Sequence, residues 1–250
     1  MHMKKIVDLK SYFGLPVQID LNSNKLISSA VSCTLTKHFT ADSLRQQLMN
    51  KDISADTHIY TKFIQIDDDE ILAKKGLRLN LYSIPAGLTG VEYYKTRASK
   101  TNGYPKILET LYGTATLLLF QHTRNGDVLI VTKVTKGKKV VIPPQYSLTI
   151  INTRNSHLLV KEVYTSNVRH HYVLDEMNGM PYYVIRKNGK QEFVRNPTFK
   201  EVKLVKKVNW PEILKQLNLT EKTPALKQVL RKNEQCKWLF EQPKEPISLI

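Results

Sequence analysis

Residues 84–121 read IPAGLTGVEYYKTRASKTNGYPKILETLYGTATLLLFQ, and this stretch decides the fold. It ends in Ala115 to Phe120 (ATLLLF), an apolar run of buried-strand length, far short of the roughly 20 residues that cross a bilayer. Working outward on the N-terminal side, LRLNLYSIP alternates with Leu77, Leu79, Leu81 and Ser83 on one face, and IYTKFIQID alternates roughly with period two. On the C-terminal side DVLIVTKV, KKVVIPP, SLTIIN, HLLVKEVYT and YYVIRK-NG-KQEFV follow at short intervals. Asn125-Gly126-Asp127 predicts a hairpin turn, and Asn188-Gly189 between two alternating runs predicts one of type I′. Many short antiparallel strands joined by such turns predict an all-β barrel or double-sheet jelly roll.

The two ends read differently. Residues 1–57 mix short strands and helices: Lys10 to Pro16 reads as a turn, and Thr40-Ala41-Asp42-Ser43 begins a polar helix running LRQQLMN, with Thr40 or Asp42 as its N-cap. Near the other end Trp210-Pro211-Glu212 opens the short helix EILKQLN, and Thr223-Pro224 starts ALKQVLRKNEQCKWLFEQ. The apolar positions Leu226, Val229, Leu230, Trp238 and Leu239 of that second helix suit packing on a barrel wall. No repeat or low-complexity linker divides the chain. The expected organisation is one domain, with an N-terminal extension over 1–57, the barrel over 58–205 and a helical extension over 206–250.

With 41% hydrophobic and 24% charged residues, the chain has enough apolar content for a core. Lys4 and Lys5 are not followed by an apolar segment, so no secretory signal is expected and the cytoplasm is the expected location. Only Cys33 and Cys236 are present, which suggests neither a disulfide framework nor a zinc site. The net charge of +16 is uneven: +1 over residues 1–94, +11 over 95–200 and +4 over 201–250. The excess therefore falls within the predicted barrel, where it would steer a sugar phosphate or a polyanion. Lysine-rich composition with solvated surface charges explains the same number equally well, and no motif for reading nucleic-acid sequence is present.

Several separated pieces, in order, resemble the cupin-type glucose-6-phosphate isomerase family over roughly residues 58–200. They are IPAG…EYYKT, YGTATLLLFQ, the Pro143-Pro144 turn of VIPPQYSLTIIN, the segment Tyr164 to Tyr172, and YYVIRKNGKQEFVRNP. The resemblance implies a single cupin barrel, a double-stranded β-helix with short helices at both ends. It also implies isomerisation between glucose 6-phosphate and fructose 6-phosphate, one divalent metal (Fe, Mn, Ni or Zn) and a homodimer. The metal in that family is held by a Thr-x-Gly-His-x-His run, a later glutamate and a histidine after the Pro-Pro turn. In this chain the ligand positions are Ser99, Thr101, Lys106 and Leu148. Two neutral hydroxyls, an ammonium and an alkyl group cannot replace imidazoles and a carboxylate on a divalent cation, so no metal is expected there.

The organic half of the pocket is partly kept. Thr96 matches a threonine similar to a phosphate contact, and Tyr164, His170 and Tyr172 fall on a segment that lines the sugar-phosphate pocket. Tyr82 or Ser83 matches a further hydroxyl, and Ser99 and Thr101 add two more. The expectation is a small-anion binder, catalytically degenerate. Two alternatives stand beside it: a metal-independent isomerase with Lys106 and His170 as acid–base groups, and a basic module that binds RNA or an acidic protein. Adjacent strand residues face opposite ways, so His170 and His171 do not form a metal pair. The plainer expectation for Lys106 is a surface-reaching lysine, and His122 and His157 are expected to be exposed at strand ends.

Overall fold

The computed structural model describes residues 5–13, 15–28, 31–67, 70–124 and 126–249. The N-terminal part holds strands Ile6–Asp8 (β1), Gln18–Asp20 (β2), Lys25–Leu26 (β3), Ser32–Thr40 (β4) and His58–Asp67 (β5). Then come Leu77–Ile84 (β6), Leu88–Thr89 (β7), Glu92–Tyr93 (β8), Lys100–Thr101 (β9), Lys106–Tyr112 (β10), Thr114–Thr123 (β11) and Gly126–Thr135 (β12). The last seven are Lys139–Ile142 (β13), Ser147–Asn152 (β14), Leu158–Thr165 (β15), His170–His171 (β16), Tyr182–Lys187 (β17), Lys190–Arg195 (β18) and Val202–Val205 (β19).

Two sheets carry the fold. One has the order β13-β10-β15-β6-β5-β4, the other β14-β11-β12-β19. Between them lies an apolar interior formed by Tyr82, Leu108, Val140 and Val160 of the first sheet and Leu117, Leu119, Ile130, Leu148 and Ile150 of the second. The pleat sends alternate residues of the first sheet the other way. Leu79, Leu81, Ile107, Leu159 and Val163 thus form a second core on its outer face, with Val17 and Ile19 of the N-terminal strands and Leu214, Leu226 and Val229 of the C-terminal helices. A sheet covered on both sides needs strands that are apolar on both sides, and every residue of β15 is buried. Two charges, Lys161 and Glu162, nevertheless sit in the middle of that strand.

Most of the turn reading holds. Asn188 and Gly189 both have positive φ (50° and 73°), as a type I′ hairpin requires. Asn125, of the expected Asn125-Gly126-Asp127 turn, lies outside the described residues. Gly113, at φ +80° between β10 and β11, has no room for a Cβ, which would stand 2.6 Å from the His157 carbonyl oxygen.

The helices are shorter than the sequence predicts. Within the expected turn 10–16, Lys10–Phe13 forms one helical turn (α1). Thr40 is the N-cap of Ala41–Leu44 (α2), but LRQQLMN continues only as the 3₁₀ turn Arg45–Gln47. After Ile71–Lys74 (α3) and Trp210–Gln216 (α4), the predicted long C-terminal helix is Ala225–Arg231 (α5) alone. It breaks at Lys232 and resumes as 3₁₀ over Asn233–Leu239. The tighter winding turns Cys236 and Leu239 into the same outer core as Leu226 and Val229. No helix of the described residues is long and apolar enough to cross a membrane.

Candidate functional site

Glu162 organises the polar end of the interior. It faces inward from the middle of β15, opposite Leu108 of β10 and Asn80 of β6, and is fully buried. The same inward pleat brings Lys106 from β10, Asn80 and Tyr82 from β6, and Lys62 from β5, whose register partner is Tyr82. Lys106 Nζ lies 2.9 Å from Glu162 Oε1, and Lys62 Nζ lies 3.6 Å from Oε2. Asn80 Nδ2 and the Tyr82 hydroxyl both donate to Oε2, at 2.8 and 3.0 Å, and the Tyr164 hydroxyl donates to Asn80 Oδ1 at 3.1 Å. His170 closes the group, with Nε2 3.8 Å from Glu162 Oε2 and its ring edge-on to Tyr164.

This cluster carries more cationic than anionic groups and is not fully hydrogen-bonded. Lys106 Nζ and Glu162 Oε1 have only each other as partners, and both ring nitrogens of His170 are buried without one. Buried polar atoms are rarely left so, because each forfeits its hydration without replacement. Burial by itself would raise the Glu162 pKa. Lys106 and then Lys62 outweigh that and hold the carboxyl well below its usual range. Burial lowers Lys62, with Glu162 opposing and Lys106 adding to the fall. Burial also takes His170 down to about 3, so its imidazole is neutral at pH 7.

The expected residues divide clearly. Lys106, His170, Tyr82 and Tyr164 converge on Glu162, directly or through Asn80. Lys106 is 1% exposed and therefore is not a surface-reaching lysine. Thr101 pairs with His170 across the β9–β16 ribbon, but its hydroxyl donates to the Tyr104 carbonyl at 2.6 Å. Ser99 is buried and pairs with Leu148 through both backbone hydrogen bonds, with Leu148 in the apolar interior. Tyr172 is 38% exposed and lies under the guanidinium of Arg97, which is itself paired with Asp175.

Two residues fall elsewhere. Thr96 Oγ1 accepts from the backbone N–H of Ile150, so it serves the join to β14. Ser83 points to the outer face, bonded to Asn24 and to His157 Nε2 at 2.7 Å. That contact also leaves His157 half-buried rather than exposed, while His122 is exposed as expected. His170 points in and His171 out.

Glu162, Lys62 and Asn80 were not among the sequence candidates. A signal for Glu162 is present: Lys161-Glu162 interrupts the otherwise apolar LLVKEV, and one of two adjacent strand charges must face inward.

The divalent metal does not fit. Leu148 has no donor atom, the Thr101 hydroxyl is engaged, and the Lys106 ammonium would repel a cation. The nearby carboxylate, Glu162, is already held by two lysines, an amide and a phenol. Among the described residues, no group of three or more His, Cys, Asp or Glu side chains is arranged to hold a metal ion.

No curated protein is similar to this chain in sequence at a significant level. Among solved structures, oxalate decarboxylase from Bacillus subtilis at pH 4.6 is 11% identical over 46% of this chain and 28% of that one, with a TM-score of 0.37. Procruciferin, the 11S globulin from Brassica napus, is 16% identical over 46% and 27%, with a TM-score of 0.36. The matched region thus spans less than a third of either protein, and likenesses this loose carry no argument about function. The sequence profile described as glucose-6-phosphate isomerase (GPI) matches residues 40–200, well over half of the chain and all of the residues gathered around Glu162. On that match, with the all-β double-sheet fold, the chain belongs to the cupin-type glucose-6-phosphate isomerase family.

Proposed function

We propose that this chain is a catalytically degenerate glucose-6-phosphate isomerase homologue that binds a sugar phosphate or a similar small anion in its interior, without a metal. One observation carries the reading: two buried lysines, Lys62 and Lys106, share the single carboxylate Glu162, while Lys106 Nζ has no partner beyond Glu162 and both His170 nitrogens have none. An anion entering beside Lys106 supplies both a counter-charge and acceptors, which turns a costly arrangement into a satisfied one. His170 and Tyr164 offer a neutral imidazole and a phenol ring for sugar hydroxyls and ring carbons. Degeneracy is supported by chemistry. Glu162 is too acidic to draw a proton from a sugar carbon at pH 7, and His170 near 3 is a weak base for that step.

The test is a coupled isomerase assay with fructose 6-phosphate, run with added manganese, iron or nickel and with chelator, beside a thermal-shift titration of fructose 6-phosphate. Stabilisation without turnover is expected. Chelator-sensitive turnover would overturn the metal argument, and metal-independent turnover would make the protein an isomerase that works with Lys106 and His170. Silence in both would favour the rival, a basic module using exposed cations such as Arg186, Lys187 and Lys190 of the β17–β18 hairpin.

A further inference from the structure

The geometry points to Lys62 as a reactive amine that condenses with the carbonyl of an open-chain sugar phosphate to form an imine. This rests on the sugar-phosphate reading of the same site. Lys106 holds the close contact with Glu162, 2.9 Å against 3.6 Å for Lys62, so Lys62 is the weaker claimant on a shared carboxylate. Lys37 lies directly across the β4–β5 pair from Lys62, adding a second like charge, and the neutral His170 adds none. The Lys62 ammonium does lie 4.8 Å from the centre of the Tyr82 ring, but that aromatic contact is its remaining support.

Burial lowers the Lys62 pKa; Glu162 opposes that fall, while Lys106 and Lys37 add to it, so loss of the Lys62 proton is eased. A desolvated free amine next to another cation is an activated nucleophile for carbonyl carbon. Access remains, since the Lys62 side chain is 8% exposed and that of His170 is 16% exposed.

The chemistry balances without a redox partner. The Lys62 nitrogen lone pair forms the C–N bond while the carbonyl π pair moves to oxygen, giving a carbinolamine. The two amine hydrogens then leave with that oxygen as water, and the product is a neutral imine. Glu162 Oε2, 3.6 Å from Nζ, is placed to accept a proton from nitrogen, and Lys106 beside it is placed to return one to the departing oxygen. Hydrolysis reverses every step.

Pyridoxal 5′-phosphate, an aldehyde that carries a phosphate, is the probe. The full-length protein is treated with one equivalent at pH 7.5, reduced with borohydride and mapped by peptide mass spectrometry, with and without excess fructose 6-phosphate. The expected result is label on Lys62 ahead of the exposed lysines, suppressed at least tenfold by fructose 6-phosphate. Labelling of Lys62 is also expected to level off at a lower pH than that of exposed lysines. Lys62→Arg, checked for an unchanged melting temperature, is expected to lose this first label and keep the slower surface labelling. Label spread over exposed lysines with Lys62 unmodified overturns the imine. If fructose 6-phosphate still stabilises the protein in that case, the binding reading survives alone. Label on Lys62 that fructose 6-phosphate does not suppress supports the amine and contradicts the sugar-phosphate reading.

Discussion

Two Lys–Glu–Lys clusters lie back to back on strands β10 and β15. On the inner face Glu162 meets Lys106 and Lys62. On the outer face Glu109 meets Lys161 at 2.7 Å and Lys139 at 4.0 Å. The residue types match, but the surroundings do not. Lys161 also donates to the Tyr12 carbonyl, Lys139 donates to the carbonyls of Thr220 and Glu221, and Glu109 accepts from the backbone N–H of Ala225, the first residue of α5. The outer cluster is thus satisfied by backbone from both terminal extensions, which it fastens to the sheet. The inner cluster leaves the Lys106 ammonium and Glu162 Oε1 with no partner beyond each other, and the His170 imidazole with none. A buried ion pair is weak evidence for stability in either place. Saturation separates the staple from the site.

The largest effect is expected from Glu162→Gln, which buries Lys106 and Lys62 without a counter-charge and costs about 3–5 kcal/mol in denaturant unfolding. Millimolar phosphate should restore part of that loss, because an anion can take the place of the carboxylate. Glu109→Gln should be destabilised without such rescue, since its neighbours are already bonded to backbone. If phosphate rescued both or neither, the distinction between the clusters would fail.

Lys161→Met should cost about 2 kcal/mol, the worth of a charged hydrogen bond. Its signature is local: amide hydrogen exchange should quicken over residues 220–231 and around Tyr12, with the response to fructose 6-phosphate unchanged. Lys106→Met should cost less than Glu162→Gln, since Lys62 remains to pair with Glu162, yet abolish the ligand-induced rise in melting temperature.

The smallest effect concerns pH. His170 is lowered to about 3 and His157 to about 4, both by burial first. The unfolded chain, with its histidines near 6.5, takes up protons before the folded one does. Stability contributed by the neutral rings is therefore complete above about pH 6.5 and falls as pH drops toward 4 and then 3. Thermal melts from pH 7.5 to 4.5 should show this decline, and His170→Gln should flatten the inner-site share of it. The depressed Glu162 adds its own loss as pH falls below about 4.5, where the unfolded carboxyl takes up a proton, and that loss continues down to its folded-state pKa.

Period-two alternation in IYTKFIQID and LRLNLYSIP places the right residues on each face, because burial on the two sides of a sheet imposes it. The Asn188-Gly189 turn was equally legible, since few residues tolerate φ above zero twice in succession. The C-terminal helix was read too long because its apolar periodicity runs past Lys232, where packing of Cys236 and Leu239 tightens the winding. Of the positions that the family frame picks out, Lys106, His170, Tyr82 and Tyr164 gather around Glu162, whereas Ser83, the alternative to Tyr82, faces the other way, because neighbours on a strand cannot share a pocket. Glu162 is not legible from the ligand motif because it lies on β15, away from positions 99, 101, 106 and 148. Its partner Lys106 shows that the charge on β10 is matched one strand away.

Isothermal titration of fructose 6-phosphate into the chelator-treated parent protein and Lys106→Met tests the central claim most directly. The account predicts one binding site in the parent, unchanged by added manganese, and none in Lys106→Met. Binding that appears only with the metal, or equal binding by both proteins, would contradict it.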